Sequence, residues 1–170
     1  VQKRFLVTFW GLETSYGRYL GSFNVPRSLA TLAYDGRRSA YFRKELLNAL
    51  RIIEDGHISA SDMKGSWAGA MGQSQFMPSS FLNYAVDWNG DGRRDIWGTK
   101  PDVFASAANY LKKAGWRDDI TWGRKVRIPG NLVINGMGAT KLSESKTWLK
   151  LPEWQSAGVR NAEGGALPER

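Results

Sequence analysis

Glu13 is the residue whose type and surroundings best suit acid catalysis. Around it, Phe5, Phe9, Leu12 and Tyr16 recur at the spacing of one stripe on a helix. At about 100° per residue, Glu13 borders this stripe, so we expect it to be partly buried among aromatic rings. Burial disfavours the charged form of a carboxyl group and raises its pKa, which would let Glu13 act as a general acid near neutral pH, as cleavage of a glycosidic bond requires. The alternative is a boundary glutamate whose carboxylate simply reaches water.

A segment rich in glycine and glutamine, residues 65–80, has the composition of a binding surface. Gly65, Gly69 and Gly72 weaken a helix and remove packing atoms, which indicates that something approaches the backbone closely. Glycines that only allow two helices to pack tightly are the alternative. The side chains in this segment that could hydrogen-bond or stack on a sugar ring are Ser66, Trp67, Gln73 and Gln75.

A third pattern, over residues 87–98, is typical of a calcium-binding loop. Oxygen-bearing side chains stand at positions 1, 3 and 5 of the EF-hand spacing, and Gly92 at position 6 permits its sharp turn. Position 12 is Gly98 instead of glutamate, so a bidentate ligand is missing where the shell should close. A metal-free turn stabilised by Asp and Asn side chains is the alternative, and either loop would have a structural role. The candidate ligands within the loop are Asp87, Asn89, Asp91, Arg93 and Asp95.

The composition excludes several other kinds of catalysis. The chain has 170 residues, no cysteine and one histidine, so disulfides, thiolate nucleophiles, iron–sulfur clusters and cysteine-based zinc sites are excluded. A Ser-His-Asp triad would need His57, which follows Asp55-Gly56 at a helix end. We expect His57 to be an exposed loop residue without a chemical role.

The charge of the chain favours an anionic partner. Lys and Arg number 24 against 16 Asp and Glu, which leaves a net charge of +8 and is compatible with nucleic acid, a membrane surface or an anionic polymer. No run of five or six like charges occurs, which disfavours nucleic acid. The 8 Trp, 6 Tyr and 7 Phe residues suggest flat apolar ligand faces in addition to a core.

The elements that must position these residues are mainly helices. Apolar periodicity, prolines at helix starts and glycines at helix ends predict helices near residues 5–16, 25–35, 37–54, 78–85 and 101–114. Past residue 120, we expect short strands near 122–128 and 131–134 and a last helix near 148–154. The fold class is therefore mainly α (α+β), with a core over residues 1–120 and a small α+β extension over 121–170 within the same domain. No segment is apolar over the length that crossing a bilayer requires, and residue 1 does not open a signal peptide.

Several motifs occur together in the order and spacing of one known family. They are FWGLETSYG at 9–17, TLAYDGRR at 31–38, WAGAMGQSQFMPSS at 67–80, AVDWNGDGRRDIW at 85–97 and ANY at 108–110. The chain from about residue 5 to residue 116 thereby resembles the lytic murein transglycosylase B family, which has membrane-bound and soluble members. The resemblance implies a lysozyme-like, mainly α catalytic core. It also implies cleavage of the β-1,4 bond between N-acetylmuramic acid and N-acetylglucosamine in peptidoglycan, without water, to give a 1,6-anhydro product.

Individual residues take roles from this resemblance. Glu13 matches the lone catalytic acid and base, and Ser66 matches a hydroxyl that contacts it. The resemblance implies a calcium loop closed by a later aspartate, here Asp102, although residues 98–101 make this loop one residue longer. No cofactor is implied for catalysis itself. The residues that match substrate-binding positions are Gln75 and Phe76, the basic pair Arg37 and Arg38 in the cleft, and Tyr110 as an aromatic that contacts sugar.

The implied mechanism needs one carboxyl group. Glu13 would protonate the leaving oxygen, the acetamido oxygen of the substrate would stabilise the developing cation, and the carboxylate would then take the proton from the O6 hydroxyl of the sugar. A two-carboxylate glycosidase needs a second acid about 5–9.5 Å away, and Asp35 is our one candidate for it. A lysozyme-type hydrolase, a non-catalytic peptidoglycan-binding domain and a basic nucleic-acid binder are the competing hypotheses.

The expected partner is the glycan strand of peptidoglycan, bound by a monomer, and the substrate places the protein in the periplasm. The family leads us to expect a tyrosine-rich segment after residue 170, so we expect this chain to be an excerpt of a longer protein. A membrane anchor would have to lie in a segment upstream of residue 1.

Overall fold

Helices dominate the part of the chain that the computed structural model describes, residues 1–119, 123–132 and 149–169. The helices are α1 (Lys3–Thr14), α2 (Val25–Asp35), α3 (Ser39–Glu54), α4 (Pro78–Tyr84), α5 (Lys100–Lys113) and α6 (Leu151–Ser156). Four two-residue strands accompany them, β1 (Phe23–Asn24), β2 (Lys64–Gly65), β3 (Val126–Arg127) and β4 (Arg160–Asn161). The chain divides into two compact units, Val1–Asp118 and Asp119–Arg170. The predicted mainly α class is confirmed.

Local sequence signals set the bounds of the central helices. The side chain of Asn24 accepts a hydrogen bond from the Arg27 N–H at 3.1 Å and so caps α2, whose first turn contains Pro26. Gly36 ends α2 with a φ of 93°, a left-handed conformation that glycine adopts without a steric penalty. Because the next helix starts at Ser39, α2 and α3 form a helical hairpin.

The core of the first unit lies among α2, α3, α4 and the segments between them. This core is mostly apolar, but it also contains Glu45, which is only 2% exposed. The Glu45 Oε2 accepts the N–H of Ser79 in the first turn of α4 at 2.8 Å. The carboxylate thus satisfies one of the N–H groups that a helix start leaves unpaired. The buried apolar residues of the cluster are Val25, Leu29, Ala49, Ile52, Met63, Met71, Phe76, Phe81 and Ile96.

A short antiparallel ladder brings the chain that follows α1 to the glycine-rich segment. In this ladder Phe23 pairs with Gly65 and Asn24 with Lys64. Two further bridges, from Gly65 to Met71 and from Met71 to Phe76, fold residues 65–76 into a compact loop instead of a helix. The segment that the sequence marked as a binding surface is therefore irregular backbone fixed by β-type pairing.

The buried face of α1 differs from the predicted stripe. Thr14 is the buried residue of this helix, while Leu12 is 82% exposed and Tyr16, which lies beyond the helix end, is 58% exposed. Trp10 and Thr14, four residues apart, contact Phe104 and Gln73, and at about 100° per residue Leu12 lies nearly opposite them on the helix. The predicted stripe is therefore wrong at Leu12 and Tyr16, whereas Phe5 and Phe9 are half-buried and the Phe5 ring lies 4.8 Å from that of Trp116.

His57 is buried, so the expectation that it is an exposed loop residue is wrong. Its relative exposure is 8%, and its ring lies against Arg94, with the Arg94 Nε 3.1 Å from His57 Nε2. The Arg94 backbone N–H donates to His57 Nδ1 at 3.2 Å. Burial first, and then the charge of Arg94, lower the pKa of His57, which keeps the ring neutral as an acceptor. His57 therefore joins the end of α3 to the acidic loop.

The described parts of the second unit contain the elements β3, α6 and β4. β3 pairs antiparallel with β4, Val126 with Asn161 and Arg127 with Arg160. β3 lies within the predicted strand at 122–128, and α6 starts at Leu151, three residues after the predicted start at 148. The strand expected at 131–134 and the predicted helix start lie partly outside the described residues.

Candidate active site

Glu13 lies in the last turn of α1 with its side chain exposed, so the expected partial burial is wrong. The helix ends one residue later because Ser15 and Tyr16 both adopt left-handed backbone conformations, with φ of 49° and 62°. The carboxyl group therefore stands at the end of a helix, next to a sharp change of chain direction.

Two connections hold the backbone around Glu13 against the glycine-rich loop. The first runs through the neighbouring residue, because the Thr14 hydroxyl donates to the Gln73 carbonyl oxygen at 3.1 Å. The Trp10 indole N–H, one turn earlier, donates to the Gln73 side-chain oxygen at 2.8 Å. Thr14 is 1% exposed, so this contact is protected from water and fixes the end of α1.

The second connection follows the helix, at Gly21. This residue has a φ of 91°, and a Cβ built on it would collide with the Gly65 carbonyl group and lie 2.7 Å from the Ser66 nitrogen. Only glycine allows the two backbones to approach this closely. The chain that bears Glu13 and the chain that bears Ser66 are therefore joined on both sides of the turn at Ser15 and Tyr16.

The Ser66 hydroxyl accepts a hydrogen bond within its own loop. Its Oγ accepts the Ala70 N–H at 3.0 Å, and its backbone N–H donates to the Ala70 carbonyl oxygen at 2.7 Å. Among residues 1–119, 123–132 and 149–169 this hydroxyl donates no hydrogen bond, so its hydrogen can point to a carboxylate or a sugar oxygen. This arrangement is compatible with the contact to Glu13 that the family resemblance implies.

Three of the four remaining predicted residues of this segment, Gln73, Gln75 and Phe76, are partly or fully buried. Gln75 is half-buried with a φ of 48°, and its Nε2 donates to the Gly72 carbonyl oxygen at 2.9 Å. Gln73 is only 7% exposed, and its amide is taken up by internal hydrogen bonds, so it lies beneath the surface that a sugar would touch. Phe76 is 4% exposed, and its ring centroid lies 5.6 Å from that of half-buried Tyr110. Gln73 and Phe76 therefore lie mostly beneath the surface of the loop, and their contact with sugar stays a prediction.

Trp67 and the basic pair are on the surface. Trp67 is 64% exposed, as a residue that stacks on a sugar requires. The Arg37 Nε donates to Asp35 Oδ2 at 2.9 Å, and Arg38 lies over the Tyr41 ring at 4.4 Å from its centroid. No hydrogen bond or ion pair joins these arginines to Glu13 within the described ranges. Their placement in a cleft remains a prediction.

Sequence reasoning missed a set of exposed apolar residues near Glu13, called here the exposed strip. Exposed apolar side chains are a feature of many binding sites. The signal was present in the sequence, since four aromatic or aliphatic residues occur near glycines within the twelve positions 12–23. Two of them were assigned to a core stripe, and the other two were given no role. The strip consists of Leu12 at 82%, Tyr16 at 58%, Tyr19 at 73% and Phe23 at 54% exposure.

The acidic loop is held by hydrogen bonds to its own carboxylates. Asp87 Oδ1 accepts the Gly90 N–H at 2.7 Å, and its Oδ2 accepts the Gly92 N–H at 2.8 Å. Asp102 is fully buried, and its two oxygens accept the N–H groups of Trp88 and Asp95, each at 2.9 Å. Asp102 thus fastens the start and the middle of the loop to the first turn of α5.

The donor chemistry of this loop fits a hard cation, but the arrangement does not form a ready site. Carboxylate and amide oxygens are the ligands that calcium prefers. Within residues 1–119, 123–132 and 149–169, however, no three acidic or histidine side chains converge as a metal site needs. Burial works to raise the pKa of Asp95, but hydrogen bonds from the Gly98 N–H and the Thr99 hydroxyl outweigh it and lower that pKa. These carboxylates are committed to loop N–H and hydroxyl groups.

The chain belongs to the family described as the transglycosylase SLT domain, whose family profile matches residues 1–170. It is 43% identical over 117 residues to membrane-bound lytic murein transglycosylase B of Escherichia coli (strain K12), a match that covers 68% of this chain and 32% of that protein. The family predicted from the motifs is therefore confirmed.

Solved structures agree with this assignment. SltB3 from Pseudomonas aeruginosa, in complex with NAG-NAM-pentapeptide, is 48% identical with a TM-score of 0.85, over 96% of this chain and 42% of that one. The Escherichia coli lytic transglycosylase Slt35 in complex with calcium is 33% identical with a TM-score of 0.80, over 99% of this chain and 50% of that one. The lysozyme-like fold implied by the motifs is confirmed, and the chain spans half or less of the length of these relatives.

Proposed function

We propose that this chain is the catalytic part of a peptidoglycan lytic transglycosylase. It cleaves the β-1,4 bond between N-acetylmuramic acid and N-acetylglucosamine and closes the muramic residue to its 1,6-anhydro form. Glu13 gives its proton to the leaving oxygen and then, as a carboxylate, takes the proton of the O6 hydroxyl. The relatives named above are lytic transglycosylases, and SltB3 was solved with a NAG-NAM-pentapeptide, which supports this substrate class.

The observation that carries the proposal is the attachment of the Glu13 turn to the Ser66 loop. The Thr14 hydroxyl bond to Gln73 and the close approach of Gly21 to Gly65 tie the chain around the exposed Glu13 to the loop that carries Ser66. General acid catalysis requires such a carboxyl group in a fixed position that a substrate can reach.

The exposure of Glu13 gives the substrate a part in activating it. In the free protein, Glu13 is exposed, so water reaches its side chain. A sugar that stacks on the exposed strip at Tyr16 and Tyr19 covers the end of α1 and displaces this water. The desolvation that we expected from the protein is therefore supplied by the bound glycan.

A single carboxyl group also fits better than a hydrolytic pair. Asp35, the sequence candidate for a second acid, is the last residue of α2, and its Oδ2 accepts from the Arg37 Nε at 2.9 Å. The Gly36 that follows adopts a left-handed turn, so Asp35-Gly36 forms a helix end. A nucleophile or base at Asp35 has no support in this geometry.

The test is the chemical form of the reducing end after digestion of purified peptidoglycan by this chain. Mass spectrometry is expected to show muropeptides lighter by one water than the hydrolysis products of a lysozyme. Glu13→Gln should lower cleavage by about 10²–10⁴-fold, with sedimentation onto peptidoglycan and the unfolding temperature unchanged because the side chain is exposed. Glu54→Gln, at an exposed residue of α3, is the matched control and should cleave normally.

Each opposite outcome identifies a rival. Reducing ends that retain the water would make the chain a hydrolase. Binding without cleavage in both the unsubstituted chain and Glu13→Gln would make it a peptidoglycan-binding domain. Affinity for duplex DNA that falls steeply with salt would support the nucleic-acid hypothesis.

Calcium binding by the acidic loop is a second, structural proposal. The alternation of oxygen donors at Asp87, Asn89 and Asp91 supports it, as does the calcium complex of Slt35. Asp95, Asp102 and the Arg93 carbonyl are the other candidate ligands, and their present hydrogen bonds would have to yield to the ion. Calcium should then raise the unfolding temperature of chelator-treated protein, and Asp87→Asn should abolish the rise. An unchanged unfolding temperature together with no calorimetric heat would reject the site.

The remaining proposals concern place and partner. The glycan strand is the proposed partner, a monomer is the proposed state, and the periplasm is the proposed compartment because peptidoglycan lies there. In the described ranges, no helix combines the length and hydropathy that a membrane span needs.

A further inference from the structure

Gln73 is a residue whose polar groups are all used, and it lies between the helix of Glu13 and the acidic loop. Its Oε1 accepts the Trp10 indole N–H at 2.8 Å and its carbonyl oxygen accepts the Thr14 hydroxyl at 3.1 Å. Its Nε2 donates to the Trp97 carbonyl oxygen at 2.7 Å, and its backbone N–H donates to the Ile96 carbonyl oxygen at 2.8 Å. Two of its four bonds therefore reach α1, and two reach the end of the acidic loop.

The two hydrogen bonds between Gln73 and α1 lie one turn apart, before and after Glu13 in the chain. Trp10 and Thr14 occupy positions four residues apart on one side of the helix, and Glu13 lies between them in the chain. The Trp10 ring is further fixed by edge contacts to Phe104 and Tyr16, with ring centroids 5.2 and 5.5 Å away. A shift of Gln73 would therefore move the turn of the helix that carries Glu13.

The backbone at Gly17 packs tightly against the Trp10–Gln73 hydrogen bond. A Cβ built on Gly17 would collide with the Gln73 Oε1 and lie 3.4 Å from the Trp10 indole nitrogen. The backbone just past the end of α1 thus covers the Trp10–Gln73 hydrogen bond. Gln73 itself is only 7% exposed, so water cannot replace the bond without opening the turn.

An amide is required at this position because one end must accept while the other donates. Oε1 faces the N–H donor of Trp10, and Nε2 faces the carbonyl acceptor of Trp97. A carboxylate would keep the first contact and place negative charge against the Trp97 oxygen. A protonated carboxyl group would satisfy both contacts again.

We propose that Gln73 is a positioning residue that fixes the catalytic helix to the acidic loop and so sets the place of the Glu13 carboxyl group. This inference rests on the proposed role of Glu13. It assigns Gln73 no contact with the substrate. Its loss is expected to lower the rate of the chemical step and to leave substrate affinity nearly unchanged, since a misplaced acid affects the transition state more than the bound ground state.

The test compares Gln73→Met, Gln73→Glu and Ser106→Ala in this chain. Ser106 is fully buried, and its Oγ accepts the Val86 N–H at 2.9 Å, so Ser106→Ala removes a buried hydrogen bond away from α1. Gln73→Met should lower kcat about 10²-fold with KM within about twofold, while Ser106→Ala should lose stability and keep kcat. Gln73→Glu should regain kcat, relative to the unsubstituted chain at the same pH, as the pH is lowered.

A nuclear magnetic resonance measurement tests the inference without any turnover. The indole N–H of Trp10 should exchange with solvent faster in Gln73→Met than in the unsubstituted chain, and Ser106→Ala should leave it unchanged. Equal kcat values for Gln73→Met and Ser106→Ala, or unaltered exchange at Trp10, would overturn the positioning role. If Glu13→Gln loses cleavage while Gln73→Met cleaves normally, the positioning role fails and the proposed function stands. If the product is that of hydrolysis, the proposed function fails, but the kcat values of the Gln73 variants can still be compared.

Discussion

Gly21 lies so close to Gly65 that the two backbones leave no room for a Cβ between them. The contact continues the antiparallel pairing of Phe23 with Gly65 and lies between the end of α1 and the loop that carries Ser66. The proposed active site therefore depends on a position where the side chain must be absent.

Gly21→Ala should destabilise the chain far more than Gly36→Ala. Both residues have positive φ, 91° and 93°, so both substitutions cost about 1–2 kcal/mol in backbone strain. A Cβ at Gly36 meets nothing within 4 Å, whereas one at Gly21 meets the Gly65 carbonyl group. We expect a further loss of about 2 kcal/mol or more for Gly21→Ala, measured by urea unfolding. Equal losses in the two variants would contradict the close approach.

Thr14→Val should weaken the end of α1 while preserving side-chain shape. The Thr14 hydroxyl donates to Gln73 and accepts the Gly17 N–H at 3.1 Å, and both partners would lose a buried hydrogen bond. The expected loss of unfolding free energy is about 1–3 kcal/mol. Thr31→Val is the control, because the Thr31 hydroxyl bonds the Arg27 carbonyl oxygen on an exposed helix face, and we expect a change within about 0.5 kcal/mol. A similar loss of unfolding free energy in Thr14→Val and Thr31→Val would show that the Thr14 hydrogen bonds stabilise the chain no more than an exposed one.

Mild acid should destabilise the chain through His57. Burial and Arg94 hold the pKa of His57 below its ordinary value of 6.5, so the unfolded chain binds a proton more readily than the folded one. The contribution of His57 is therefore fully present above pH 6.5 and is lost as the pH falls below that value towards the folded pKa. Unfolding at pH 8 and pH 5, with chelator in both buffers, should show this loss in the unsubstituted chain and a smaller one in His57→Gln. An identical loss in both would exclude His57 as its source.

Asp102→Asn should loosen the acidic loop even when no metal is added. Asp102 is fully buried and accepts the N–H groups of Trp88 and Asp95, and an amide can accept only one of these. We expect a loss of about 1–3 kcal/mol in chelator-treated protein and faster exchange of the Asp95 amide proton. Asp62→Asn, at an exposed residue whose Oδ2 accepts the Ser59 hydroxyl at 2.7 Å, should change stability little. Unchanged exchange at Asp95 would show that Asp102 does not hold the loop.

Much of the fold could be predicted because it depends on local signals. Asn24 and Pro26 mark the start of α2, Gly36 marks its end, and the observed helix has these bounds. Such signals act through the backbone of a few adjacent residues, so they can be recognised without knowledge of the rest of the chain. The motif at 67–80 likewise identified the family, since its residue types and order are specific.

The phase of α1 and the burial of Glu13 could not be predicted in this way. Periodicity favoured the side of Leu12, but the contacts that exist are those of Trp10 and Thr14 with Gln73, which is 59 or more residues away in sequence. An exposed apolar residue and a buried one give the same signal in a sequence pattern. The same reason explains why the burial of Gln73 and Phe76 was not foreseen, and why His57 was expected on the surface.

The sequence by itself determined the family, the mainly helical class and the position of the carboxyl group at Glu13, because these follow from local residue order. Only the tertiary structure decided which groups are exposed and which residues are hydrogen-bonded to the helix that carries Glu13. Exposure and hydrogen bonding depend on partners far apart in the chain, such as Trp10 with Gln73 and His57 with Arg94. Those partners meet only when burial of the apolar core brings their segments together.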